Sequence, residues 1–382
     1  MEVRKVMRLG MSSLVVSVPK EWAERYKLSG ESRLVLIPQP DGSIALYPES
    51  VPREKPRTIT LTVDPDDPQG LLERRIVAAY LTDFDEIRIQ SKDVIAAGKR
   101  DRIRQYLRLL SGYQIMETSS NHILIQKVAR LAEMDVERAL HRVHTIALSM
   151  LKDALKALKT RDTTLAESVT SLTEETNQFH YLINKQLRLA LLDPNIMSRS
   201  GLTAIDTLNY TTVLHAIRQS SEAAKSIANG VITLADHECP SDILKLGLET
   251  GQLVLSLFTN ALKAFFTRDD KLANNIIIEG KACPPMRAQA EKLMEQHLIQ
   301  ICEKMIPNIT VETCTLFGPR QVALTVLEQV FQSLSQIGVA AATIAQHAIW
   351  RTMEIHLPTE SKMPKRQKRR KTRQKRKRPS KS

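Results

Sequence analysis

The chain has 382 residues, with Lys+Arg 55 against Asp+Glu 42 and a formal net charge of +13. That length calls for about two to four separate cores. Segment 361–382 holds thirteen of the positive residues and no acid, so residues 1–360 are formally neutral. The charge is therefore no argument for a basic globular face. Aromatics at 4% favour helices packed on Ala, Leu and Ile over a β-sandwich. No run of eighteen apolar residues occurs, so no membrane insertion is expected. Cys239, Cys283, Cys302 and Cys314 show no CxxC spacing and follow no secretory leader. They read as reduced thiols of a cytoplasmic protein, not as a zinc site.

Residues 1–50 read as a small β-rich module. Val3, Lys5, Met7 and Leu9 alternate with Arg4, Val6 and Arg8, Gly10 turns the chain, and Leu14 to Val18 continues as a strand. Pro19 opens a short helix over Lys20 to Leu28, with Trp22 and Tyr26 on one face. A hairpin around Asp41-Gly42 follows. A module this small buries too little to stand alone, so a homodimer through this domain is expected.

The stretch R-K-V-M-R-L-G-M-S-S-L-V-V-S-V-P-K-E-W, from Arg4 to Trp22, resembles the AbrB/SpoVT/MazE family of swapped-hairpin DNA-binding domains; the resemblance extends to Glu49. It implies two interlocked chains, with Arg4, Lys5, Arg8 and Lys20 as phosphate or base contacts and Ser12 and Ser13 on the turn. The chemistry fits, since guanidiniums read guanine edges bidentately and ammonium groups neutralise phosphates.

Residues 58–127 show the order β-α-β-α-β-β, which predicts a small α/β domain with helices on a sheet. Arg74, Arg75, Arg100, Arg102, Arg104 and Arg108 punctuate its helices and read as charged outer faces beside acids. No phosphate-cradling Gly-rich loop and no nucleophile elbow appears, so the chain is not expected to be an enzyme.

From Ala129 the apolar period is helical, and a repeat is visible. Ala154-Leu155-Lys156-Ala157, Thr160-Arg161-Asp162 and Leu165-Ala166 recur as Ala261-Leu262-Lys263-Ala264, Thr267-Arg268-Asp269 and Leu272-Ala273. An offset this long means duplication of a domain, not a solenoid unit. Helices are predicted over 133–160, 163–192 and 202–234, then 242–267, 270–305 and 319–354, with Asp162 and Asp269 as N-caps. The fold class expected is multidomain and mostly α, with two tandem three-helix bundles at 128–237 and 240–354.

The T-R-D-x-x-L-A junctions, the Phe179 to Ile183 and Gln186 to Leu191 stretches, and the Gln336 to Ala345 stretch resemble the PhoU family of phosphate-uptake regulators. Heads of the AbrB type fused to PhoU halves imply an archaeal type. PhoU proteins hold multinuclear metal clusters on E/D-x-x-x-D pairs, because carboxylates one turn apart share a face. Here those pairs fall on Thr173 and Asn177, Arg218 and Glu222, Glu279 and Cys283, and Ser335 and Val339. Few are acidic, so no metal and no cofactor is expected. His141 and His144 read as a solvated pair, and Pro284-Pro285 as a kink inside the helix over 270–305.

Residues 358–382 are expected to form a disordered basic tail. Lys365, Arg366, Lys368, Arg369, Arg370, Lys371, Arg373, Lys375, Arg376, Lys377 and Arg378 would release phosphate counterions and bind DNA or RNA without reading sequence. The reading as a whole is a DNA-binding transcriptional regulator linked to phosphate homeostasis, with a helical sensing or docking half that takes a protein partner. The alternatives are a PhoU-type accessory protein docking on a phosphate transporter or sensor kinase, and an architectural chromatin-like protein.

Overall fold

A computed structural model describes residues 3–10, 13–38, 43–49, 56–64, 66–129, 135–305 and 319–354. Ser12, the Asp41-Gly42 turn and the basic tail over 358–382 lie outside the described residues. The chain is mostly helical, with a small β region at its N-terminus. It divides into two units, Met1–Pro52 and Arg53–Ile355.

In the first unit β1 (Met7–Leu9) pairs antiparallel with β2 (Ser13–Val15), and Arg8 stands opposite Leu14. Gly10 makes the turn at φ 68°, a conformation that favours glycine. Helix α1 (Lys20–Arg25) is shorter than the expected Lys20 to Leu28, because Tyr26 caps it and Lys27 turns left-handed at φ 51°. Trp22 and Tyr26 do share a face, their ring centroids 5.5 Å apart. Strands β3 (Leu34–Pro38) and β4 (Ile44–Pro48) form a second antiparallel hairpin. No described residue of this head is buried, and Leu14 is 70% exposed.

The second unit begins with a four-stranded sheet in the order β5-β6-β8-β7. Strand β5 (Thr58–Val63) is joined to the parallel β6 (Glu86–Ser91) through α2 (Leu71–Leu81), since parallel neighbours need a crossover. Helix α3 (Ala97–Arg108) leads to the antiparallel pair β7 (Tyr113–Thr118) and β8 (His122–Lys127), β8 lying against β6. Leu61, Val63, Ile87, Ile89, Ile123 and Ile125 face the helices. Of the helix arginines, Arg74, Arg75, Arg104 and Arg108 are exposed, Arg104 pairing with Asp101 at 2.9 Å, whereas Arg102 is half-buried and reaches from α3 to the buried Glu73 of α2 at 3.2 Å.

The helical half consists of α4 (Val136–Thr160), α5 (Thr163–Leu192), α6 (Pro194–Ser200), α7 (Ala204–Thr233), α8 (Ser241–Thr267), α9 (Asp270–Gly280), α10 (Cys283–Met305) and α11 (Pro319–Glu354). Both repeat junctions are built alike. Arg161 and Arg268 turn left-handed at φ 56° and 52°, and the Asp162 and Asp269 carboxylates each accept a backbone N–H three residues on, from Leu165 and Leu272 at 2.9 Å. Side chains of both copies, from Val136 to Ala348, share one continuous hydrophobic core. Close helix crossings rely on missing side chains there. A Cβ on Gly251 of α8 would collide with Leu155 of α4, and one on Gly230 of α7 would stand 2.9 Å from Val326 of α11.

The expected helix over 270–305 is two helices. It stops at Gly280, and Pro284-Pro285 fall in the first turn of α10, where missing N–H groups break no bond. The short α6 was not foreseen; Asp193 ends α5 in an extended conformation and Pro194 starts the new turn.

Candidate functional site

In the head, Lys5 and Arg8 are exposed, and Arg8 lies across the strand from the face of Met7 and Leu9. Arg4 donates to Ser17 Oγ at 3.4 Å, and Lys20 pairs with Glu24 at 3.6 Å in an exposed contact that stabilises little. Ser13 opens β2.

In the helical half, α5 has two working faces. Gln178, Tyr181 and Lys185, spaced i, i+3 and i+7, meet the α/β layer. Lys185, 2% exposed, pairs with Asp83 at 2.9 Å and donates to Tyr113 Oη at 3.1 Å. Its ammonium lies 4.2 Å from the Tyr80 ring centroid and 4.4 Å from that of Tyr113. Lys127 reaches the same Asp83 oxygen at 2.8 Å. Burial raises the Asp83 pKa, but the hydrogen bonds from Lys127 and Lys185 outweigh it and hold the carboxyl below its ordinary value. Burial pushes the Lys185 ammonium down, opposed by Asp83. This caged lysine fastens the sheet layer to the bundle. Sequence reasoning passed over it, because a lysine in a helix normally reads as solvated.

The adjoining face of α5 belongs to a polar cluster, whose Arg218 guanidinium also lies 5.6 Å from the Tyr181 ring centroid. Arg218 Nε donates to Asn177 Oδ1 at 3.1 Å, and Asn177 Nδ2 donates to Glu222 Oε1 at 3.2 Å. An amide thus stands between guanidinium and carboxylate. Thr173 is buried, its hydroxyl unpartnered among the described residues. His180 is also buried, with Nδ1 unpartnered among the described residues, and its ring lies 6.4 Å from that of His215. Burial first, then Arg218 and His215, lowers its pKa to about 3.

Arg218 and Glu222 open onto a cleft of about 570 Å³ between α7, α10 and α11. Its walls include His215, Arg218, Glu222, Arg287, Gln332 and Gln336. On α7 the lining positions 215, 218, 219 and 222 follow i, i+3, i+4, i+7, and on α11 positions 332, 335, 336 and 339 do the same. That double stripe was legible as spacing, yet a polar stripe alone reads as a solvated face.

The structure therefore brings together Asn177, Arg218 and Glu222, and places Ser335 and Val339 across the cleft from the α7 pair. Cys283 stands apart as a packing residue, its Sγ 3.1 Å from where a Cβ on Gly338 would lie. Among the described residues no group of three His, Cys, Asp or Glu side chains is arranged to hold a metal ion. The two histidines of α4 are not a solvated pair: His144 is buried and shares a 3.0 Å hydrogen bond with the Phe258 carbonyl, while His141 stacks on Phe266 at 4.2 Å. Their ring environments were set by α8, which the spacing within α4 does not reveal. Among the described residues, no helix is long and apolar enough to cross a membrane.

A second cleft of about 560 Å³ lies at the end of the bundle where α4 and α7 begin. There Arg351, 4% exposed, pairs with Asp206 at 3.6 Å and donates to the Phe265 carbonyl at 3.2 Å and Tyr210 Oη at 3.2 Å. Its charge is thus absorbed within the fold.

No curated protein matches the chain. Among solved structures, PhoU from Pseudomonas aeruginosa is similar at 19% identity and a TM-score of 0.47, over 56% of this chain and 94% of that one. The phosphate transport system regulatory protein PhoU from Streptococcus pneumoniae is similar at 15% identity and a TM-score of 0.46, over 56% of this chain and 92% of that one. The model of the PhoU domain matches residues 140–231, which run from Leu140 in α4 through all of α5 to Val231 in α7.

Proposed function

We propose that this chain is a regulatory accessory protein of phosphate uptake, working by docking and not by catalysis. Its helical half would engage a phosphate transporter or the sensor kinase that controls one. The observation that supports this reading is the PhoU domain match over α4, α5 and α7. The broad hydrophobic core gives such a module a rigid surface to present. The test is phosphate uptake in cells lacking the gene, together with binding of the purified full chain to the phosphate transporter and to its sensor kinase. Altered uptake and direct binding to either partner are expected. Unchanged uptake with no binding to either would overturn the reading.

A second reading is favoured by the head. Its described residues bury nothing, so the module is suited to interlocking with a second copy, while Lys5 and Arg8 stay exposed. On this reading the protein is a dimeric DNA-binding regulator whose contacts are Arg4, Lys5, Arg8, Ser12, Ser13 and Lys20. Genome-wide occupancy of the full chain and of a form lacking residues 1–50 separates the two. Focused peaks that vanish with the head support it; the same diffuse pattern from both forms refutes it.

A further inference from the structure

We propose that the cleft between α7, α10 and α11 is a binding site for a phosphorylated small molecule of nucleotide or sugar-phosphate size, held by Arg218 and Arg287. The two guanidiniums come from different walls, Arg218 from α7 and Arg287 from α10. Among the described residues no carboxylate lies within ion-pair distance of Arg218, whose Nε is engaged by the neutral Asn177 amide. Arg287 meets Glu291 through Nε at 2.9 Å, and its two terminal nitrogens have no acceptor among the described residues. Guanidinium forks of this kind match phosphoryl oxygens two at a time.

The lining also speaks against a cation. Glu222 is the one carboxylate among the lining residues, it already accepts from Asn177, and Ser335 and Val339 face it from α11. His180, buried behind the wall with its Nδ1 unpartnered among the described residues, is kept neutral by burial and by the charge of Arg218. A neutral, buried imidazole and a single carboxylate, already engaged by an amide, leave too few ligands for a metal ion.

Size argues for more than inorganic phosphate. A space of about 570 Å³ is in the range of small-molecule sites and much larger than one oxyanion. Gln219, Gln332 and Gln336 offer amides that both donate and accept, and Glu222 offers an acceptor for a hydroxyl or amino group. An organic phosphate bearing hydroxyl or amino donors is large enough to reach the arginines and these groups together, whereas orthophosphate, a single small oxyanion, spans only part of the cleft. The inference is independent of whether the chain regulates phosphate uptake or binds DNA.

The experiment is calorimetric titration of the full chain with AMP, glucose 6-phosphate and inorganic phosphate at fixed ionic strength. At least one organic phosphate should bind more tightly than inorganic phosphate. R218Q and R287Q should each weaken that ligand about 10-fold or more, with unchanged melting temperatures. R218K, which keeps the charge but loses the fork, should fall between wild type and R218Q. E222Q removes a repelling charge and should tighten inorganic phosphate. The basic C-terminal segment is the same in every variant, so the differences read the cleft alone. Three results would overturn the proposal: no binding of any of the three probes, binding that R218Q and R287Q leave unchanged, or manganese or zinc binding that E222Q abolishes.

Discussion

In the first repeat copy Asp162 caps α5, which runs 30 residues to Leu192; in the second Asp269 caps α9, which ends at Gly280 after 11. The two helices start alike because the local sequence is alike, down to the left-handed arginine before each cap. They end differently for two physical reasons. Pro284 and Pro285 cannot donate within a continuing helix, so the second copy must restart at Cys283. The outer face of α5 is covered by the α/β layer through Tyr181 and Lys185, whereas α10 instead places Arg287 in an open cleft. Duplicated chains diverge where one copy gains a partner layer and the other keeps a free seam.

The comparison can be broken most strongly at Lys185. K185M leaves Asp83 paired with Lys127 alone and strips the aromatic cage of its charge; because one cation remains, the cost should stay below that of a fully orphaned buried charge, at about 2–3 kcal/mol. Chemical denaturation should show that loss, and hydrogen exchange should show it concentrated in α5 and the sheet. A variant as stable as wild type would mean that the layer is held by apolar contacts alone.

Acid is the next lever. Burial lowers His144 to about 4 and His180 to about 3, both in helices of the first copy. In the unfolded chain these imidazoles take protons below about pH 6.5, so the unfolded state binds more protons there. The stability from keeping them neutral is full above that pH and is lost as pH falls through about 6.5 to 4, by up to about 3 kcal/mol for His144. His347 of α11 is lowered too, again by burial. Melting curves across that window should fall for wild type and flatten for H144Q; equal slopes would remove the assigned cause.

The matched junctions make a finer comparison. D162A and D269A each delete one cap bond and should each cost about 1 kcal/mol, nearly equally, as read by equilibrium unfolding. A large inequality would show that the junctions differ in more than sequence offset. Smallest of all is P285A. Pro285 is exposed in the first turn of α10, so the change should stay within about 0.5 kcal/mol. A larger gain, with increased helix content by circular dichroism, would show that Pro285 by itself interrupts the second copy, without Pro284 or the open seam.

Local signals were readable in advance wherever they depend on neighbours along the chain. The Asp162 and Asp269 caps, the turn at Gly10 and the order of elements through the sheet all follow from short-range rules. What spacing could not show is which polar residue ends inside. Lys185 and Arg188 look equivalent on paper, yet one is buried in a cage and the other exposed. His141 and His144 differ in the same way, because α8 covers only one of them well.

The chain alone determined where the two matched junctions cap their helices, that a sequence segment recurs, and that the net charge sits in the last residues, since each rests on backbone sterics, local hydrogen bonds or simple counting. Only the tertiary structure decided that the two copies share one core and that Lys185 locks a sheet onto α5. It alone set Arg218 and Arg287 on facing walls of one cleft. Those outcomes depend on which faces meet across more than a hundred residues of chain, and desolvation, which determines the behaviour of a buried charge, exists only once the faces have met.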